Sequence, residues 1–250
     1  MKHACKRRLQ LLCSVPAAFA TLLVALESGA YACGASAGGE AGISGCSLTE
    51  HEEEERPKWR VGAAYTFTST GLHFGDGLHV HETRNLALAA IDYSPTPRIT
   101  LEAGAGAFLA GNMDDNGVNM SMSPGFVGAL GASWRVLDAK DLAPFVLLSA
   151  QASYVSSSTP GSVSYNALDF RGGLAVGWTI WRAFAPYLVG RGFGGPVYWT
   201  DMGKSVIGTD DHHFQVGAGA SLLIARRVDV FVEGVPLGEQ AGSAGVGFLF

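Results

Sequence analysis

Two polar stretches, far apart in the chain, hold side chains able to bind metal or move protons. His73, Asp76, His79 and His81 occupy one, and Asp210, Asp211, His212 and His213 the other. His79 and His81 stand two residues apart, so on extended backbone they share a face, and paired imidazole nitrogens are suited to transition metals. The Cys/His spacing of zinc sites is missing, and these residues read as solvated loop histidines with no metal site. Asp114-Asp115-Asn116-Gly117 with Asn119 offers the oxygens and turn glycine of a calcium loop, yet no Glu closes a twelve-residue pattern; a turn is the better reading. Ser156, Ser157 and Ser158 fill a third polar stretch. A serine meeting His212 or His213 would make a nucleophile and base pair, but no nucleophile elbow marks one serine above the rest. No catalytic residue and no cofactor is assigned.

The elements that must position these residues are strands. From Lys58 onward, short segments of aromatic, β-branched and small residues alternate with turn-forming clusters, and no window holds a helical period. Strands are predicted at 58–70, 83–94, 98–110, 125–137, 144–156, 164–180, 186–198, 212–225, 228–235 and 243–250. Long polar connections (71–82, 111–124, 157–163, 199–211 and 236–242) alternate with short ones (95–97, 138–143, 181–185 and 226–227), as in barrels with long outer loops and short inner turns. Ile99, Leu101, Ala103, Ala105, Ala107 and Leu109 share one face of the third strand. Thr100, Glu102, Gly104 and Gly106 take the other, with Phe108 as an exception. Trp59, Tyr93, Trp134, Phe145, Trp178, Trp181, Phe184 and Tyr187 fall near the inner turns. Tyr65, Phe67, Phe126, Tyr154, Tyr165, Tyr198, Trp199 and Phe214 fall near the outer ends, together forming two interfacial girdles. The fold expected is all-β: an antiparallel transmembrane up-and-down β-barrel of ten strands, with eight as the alternative.

Parity sends a set of charges inward. Arg60, Glu102, Arg135, Asp169, Arg171 and Glu233 form a predicted lumen charge network, with Arg191 joining it, and buried charges persist only when paired. Such a lumen is filled by ion pairs or holds a thin water path, and small barrels are generally filled.

The two ends of the chain state an address. Lys2, Lys6, Arg7 and Arg8 precede an apolar stretch from Leu9 to Leu26, and Ala30-Tyr31-Ala32 supplies a cleavage site, so residues 1–32 read as a signal peptide. Losing them makes the chain more acidic than its formal net charge of -5, which argues against nucleic acid as a partner. Cys5 and Cys13 leave with the leader, and Cys33 and Cys46 remain as a disulfide pair in an oxidising compartment; a competing reading lipidates Cys33. Residues 33–57, rich in Gly, Ala and Ser and ending in His51 and Glu52-Glu53-Glu54-Glu55, form a flexible acidic periplasmic linker. After the leader no apolar run of about 20 residues remains for a membrane-spanning helix.

The ending Gly245-Val246-Gly247-Phe248-Leu249-Phe250 resembles the closing strand and insertion signal of bacterial outer-membrane β-barrels. That resemblance, covering residues 58–250 in architecture, implies a Gram-negative outer-membrane location with lipid and lipopolysaccharide around the barrel. It also makes Val246, Phe248 and Phe250 an assembly signal for the barrel-assembly machinery. The aspartates with His212 resemble omptins, ten-stranded outer-membrane proteases with aspartates and a histidine at the barrel mouth. Omptin barrels are longer than the one expected here, so no catalytic role is carried over. The leading expectation is a non-enzymatic cell-envelope barrel, porin-like in form, with a structural, surface-interaction or minor small-solute permeability role. A barrel-mouth hydrolase acting on lipid or peptide is the alternative.

Overall fold

A computed structural model describes residues 58–75, 77–115, 117–138, 143–159, 163–181, 183–201 and 204–250. The proposed signal peptide, the linker and both Cys33 and Cys46 lie outside the described residues, as does Asp76. The strands are β1 (Trp59–Phe74), β2 (His79–Thr96), β3 (Ile99–Asp115), β4 (Val118–Met122), β5 (Gly125–Leu137), β6 (Phe145–Thr159) and β7 (Val163–Gly177). They continue with β8 (Phe184–Gly194), β9 (Val197–Asp201), β10 (Lys204–Asp210), β11 (Phe214–Ile224), β12 (Val228–Gly238) and β13 (Gln240–Leu249).

Ten of these close an antiparallel barrel in the order β1, β2, β3, β5, β6, β7, β8, β11, β12, β13 and back to β1. Closure satisfies every strand edge within the ring, which a membrane demands because lipid offers the backbone no hydrogen bonds. The seam is the one expected from the carboxyl end: β13 pairs with β1 from Arg60↔Leu249 to Ser69↔Gln240. Trp59 and Phe250 exchange backbone hydrogen bonds of 3.1 and 3.0 Å beyond it.

The stretches expected to be outer loops are largely strand, which corrects the loop reading. β1, β2 and β3 run 16, 18 and 17 residues, and Val197–Asp201 pairs with Lys204–Asp210 as a hairpin, β9–β10, that belongs to no turn of the ten-strand ring. Residues 79–82 were missed because their outward positions, His79 and His81, are polar; strand patterns are recognised by apolar alternation, whereas the ladder needs only backbone groups. The hairpin has a distinct place. β9 pairs with the upper end of β7 (Ser164–Ala167), and β10 with the upper end of β1 (Leu72–Phe74), so it bridges over the shorter strands β8, β11, β12 and β13.

Each long strand reverses its polarity along its length. On β1 the outward Trp59, Val61, Tyr65 and Phe67 give way to Ser69 and His73, while the inward Arg60, Thr66, Thr68 and Thr70 give way to Leu72 and Phe74. On β2 the outward Ala87, Ala89, Ile91 and Tyr93 follow the polar His79 to Asn85. The lower part is therefore apolar outside and polar inside, suited to lipid, and the upper part is the reverse, suited to water. An apolar band of about nine residues per tilted strand fits a bilayer. Phe108 keeps the inward parity of Glu102 and Gly106 and is fully buried, an apolar residue on the inner face, and a bulge between Asn85 and Leu86 then leaves Leu109 and Ala110 both outward.

The aromatic girdles need a correction. Trp59, Trp134, Trp178 and Trp181 are exposed at the inner end, and Tyr65, Phe67, Phe126, Tyr154, Tyr198 and Phe214 toward the outer end. Phe145 and Tyr187 instead point into the lumen, as does Tyr165, and Trp199 packs against the inner apolar cluster. Strand-end position in sequence does not settle which wall a ring occupies; parity does.

Candidate functional site

The lumen is the first candidate. Arg60 reaches across the seam, donating from Nε and Nη2 to both oxygens of Asp229 on β12 (2.8 and 2.7 Å) and from Nη1 to Asp92 on β2 (2.8 Å). Arg191 grips Glu233 through two bonds of 2.8 Å and donates to Gln215 at 3.0 Å, while the Tyr187 hydroxyl adds a bond to Glu233. Arg171 bonds Asp169 on its own strand, donates to Glu239 at 2.7 and 3.3 Å, and lies 4.6 Å from the Phe193 ring centre. Arg135 is buried near the inner end, 3.6 Å from Asp138. Glu102 is half-buried, facing the lumen where Gly131 opposite leaves room beside its side chain. All six residues singled out thus sit inward, divided among separate clusters rather than one.

Sequence reasoning missed half the partners. Asp92 and Asp229 lie on the correct parity of strands that were recognised, so extending the alternation one step would have found them. Glu82 and Glu239 fell in stretches read as loops, whereas Arg84 lies inward on the same recognised strand as Asp92. Arg84 donates to Thr68 and to the Tyr165 hydroxyl at 3.3 Å and stands 3.7 Å from Glu239; Tyr165 donates to Glu82 at 3.1 Å. Glu82 and Tyr165 lie beyond the apolar band, near Asp210 at the end of β10. Burial pushes Glu82 well above the usual carboxylate range, opposed by the Tyr165 bond and reinforced by Asp210 and Glu239. Burial also lifts Asp210 to about 6, with Arg84 opposing and Glu239 adding to the rise.

Above and beside the ion pairs, the outer half of the interior is apolar. Leu72, Phe74, Val80, Leu86, Phe108, Met113, Val127 and Val155 form one cluster with at most 3 % exposure, and Trp199 packs edge-on to Phe74 at 6.2 Å. A water-filled passage would leave inward side chains wet. The Arg191–Glu233 pair is 1 % exposed on both sides and Glu82 and Glu239 are fully buried, so the outer end is stopped. The half-buried Thr100, Glu102, Ser133 and Ser149 line an inner recess with some access to water.

The outer rim is the second candidate, and here the two distant histidine and aspartate stretches converge. His73 and His79 are direct cross-strand partners whose ring nitrogens stand 3.0 Å apart, and Asp211 comes within 3.7 Å of His79 because β10 pairs with β1. His81 shares their face and contacts Ser69 at 3.0 Å. The aspartate pair is split: Asp210 turns inward to accept from Thr70, and Asp211 turns outward. His212 and His213 are exposed, His212 beside the Phe214 ring. The Asp114 carboxylate accepts from the Gly117 N–H, three residues on at the β3–β4 turn, and Ser157 donates to the Ser123 carbonyl. These contacts order the rim without aligning a serine to a base.

Compared by sequence, the chain matches no protein-family model and no curated protein. Compared by structure, it is similar to the outer membrane protease OmpT from Escherichia coli (TM-score 0.49, 11 % identity, 77 % of this chain and 97 % of that one). It is also similar to an outer membrane channel from Pseudomonas putida F1 (0.46, 11 %, 80 % and 100 %) and to the translocator domain of the autotransporter NalP from Neisseria meningitidis (0.42, 16 %, 79 % and 90 %). All three are bacterial outer-membrane β-barrels. Their differing activities leave the role of this barrel to be read from its own residues.

Proposed function

We propose that this chain is a non-conducting outer-membrane β-barrel, a structural or surface-interaction scaffold of the Gram-negative cell envelope that presents its long strands to the outside. The observation that carries this reading is the stopped outer half of the lumen, where an apolar cluster sits on buried, ion-paired arginines. Outer-membrane lipid and lipopolysaccharide are its proposed surroundings, contacted by the apolar band and the exposed Trp and Tyr rings. The barrel-assembly machinery is its proposed partner during insertion, through Val246, Phe248 and Phe250. These three side chains point outward at the seam.

The test is electrical. Purified full-length protein reconstituted in planar lipid bilayers is expected to leave the membrane silent at both polarities. Steady single-channel steps from protein with verified heat-modifiable mobility would overturn the reading. Lipid A profiles and peptide cleavage compared with and without the protein are expected to be unchanged, and a change in either would favour the hydrolase.

A further inference from the structure

We propose that His73 and His79, with Asp211 beside them, form a binding site for a divalent first-row transition metal ion, zinc being the best fit, on the outer wall of the rim. The ligands come from three segments that only the closed rim brings together. His73 ends β1, His79 opens β2 directly opposite, and Asp211 follows β10. His73 Nδ1 and His79 Nε2 stand 3.0 Å apart, and one ligand atom from each of the three residues falls within 4.8 Å of the others. Two imidazole nitrogens, each about 2.0–2.1 Å from a zinc ion, are about 2.8–3.4 Å apart for bond angles between a right angle and the tetrahedral one. The observed pair is set at that spacing.

Asp211 is placed by the backbone, not by chance contact. Its N–H donates to the Gly71 carbonyl at 2.8 Å, and its carboxylate lies over Gly71, where any β-carbon would collide with it. Gly71 sits between Ser69 and His73 on the outward face of β1, so the missing side chain is what lets the carboxylate lean toward the histidines. There Asp211 Oδ1 faces His79 Nδ1 at 3.7 Å, and the opposite nitrogen of that ring faces His73. A carboxylate behind a metal-bound imidazole fixes its tautomer and strengthens it as a ligand, and a soft rotation brings the same carboxylate to the ion as a third ligand. Water completes the coordination, since all three groups are exposed. His81, although on the same face, is turned to Ser69 and is not part of the set. A bound ion would tie the β9–β10 hairpin to the β1–β2 hairpin from outside, as the Thr70–Asp210 hydrogen bond does from inside.

Calorimetric titration of zinc into the full chain, folded in detergent at neutral pH, tests this. One saturable site is expected, weakened at least tenfold by His73→Ala or His79→Ala and about tenfold by Asp211→Asn. His81→Ala, His212→Ala and His51→Ala are expected to retain it, the last because His51 beside Glu52 to Glu55 is the other candidate source of ligands. Absence of saturable zinc binding, or an unchanged isotherm in the His73→Ala/His79→Ala double variant, would overturn the proposal. Copper electron paramagnetic resonance on the unmutated protein guards against variants that fail to fold. Nitrogen splitting from two imidazoles is expected, and a spectrum with one or none refutes the site.

Discussion

Arg60 is the residue whose loss should tell most about how the barrel is held shut. It donates three charge-assisted hydrogen bonds of 2.7 to 2.8 Å to Asp92 and Asp229, with all three side chains 2 to 3 % exposed. Because Asp229 lies on β12 and Arg60 on β1, the guanidinium spans the terminal strand β13, lying across Gly247. Arg60→Met keeps most of the volume and removes the cation, leaving two carboxylates in a low-dielectric interior without their donor. Breaking a buried pair from one side costs about 3–5 kcal/mol, roughly a hundred- to several-thousand-fold in the folding equilibrium. Adding Asp92→Ala and Asp229→Ala to the same variant should recover much of that loss, because the cost is chiefly that of stranded charge. Urea unfolding in detergent micelles, followed by tryptophan emission and by heat-modifiable mobility, measures both steps. If Arg60→Met lowers stability by less than about 1 kcal/mol, the range of an ordinary surface change, the clamp reading is refuted. If the triple variant is worse than the single one, the stranded-charge argument fails instead.

Gly247→Ala places a β-carbon against Arg60 Nε and Asp229 Oδ1, and the overpacking should cost about 1–3 kcal/mol in the same unfolding assay; an unchanged midpoint would show that the clamp is loose. Deleting Phe250 removes the two backbone bonds to Trp59 and an exposed aromatic, and should impair insertion; normal heat-modifiable mobility and surface exposure would count against an assembly role. Asp210 binds its proton more tightly folded, at about 6, than at its ordinary 3.8, so its contribution weakens rim stability as pH rises through that window and relieves it on acidification. Hydrogen-exchange protection of the β9–β10 hairpin, taken relative to the intrinsic exchange rate at each pH, should therefore rise from pH 7 to pH 4. Asp210→Asn should remove the part of that change due to Asp210, leaving what Glu82 contributes; identical profiles for the two proteins would exclude Asp210 as the titrating group.

The reversal of polarity along β1 and β2 gives the barrel two solvents. Its lower part is inside-out, with Arg60 and Arg191 enclosed and Val61, Phe67 and Phe248 facing lipid; its upper part is an ordinary water-facing β structure around Leu72, Phe74 and Met113. This arrangement explains why the strands can stand above the membrane without long loops. Each upper strand buries its own apolar face, and the β9–β10 hairpin supplies the wall that the short β11, β12 and β13 do not reach.

Alternation with a period of two, a carboxyl end of outward Val246, Phe248 and Phe250, and alternating connections were enough to establish an all-β barrel and its seam. Those features are local: a strand's faces are determined by the pleat, whichever neighbour it finds. The same parity sent Arg60, Arg135, Asp169, Arg171 and Glu233 inward. It could not name their partners, because the Arg60–Asp229 and Arg171–Glu239 pairs join residues 169 and 68 positions apart. Nor could it separate polar strand from polar loop at 79–82, where outward His79 and His81 meet water. Whether two clusters of histidine and aspartate some 130 residues apart belong together was decided by three backbone pairings between β1 and β10. Ladder hydrogen bonds leave no trace in side-chain pattern, and they alone bring Asp211 to His73 and His79.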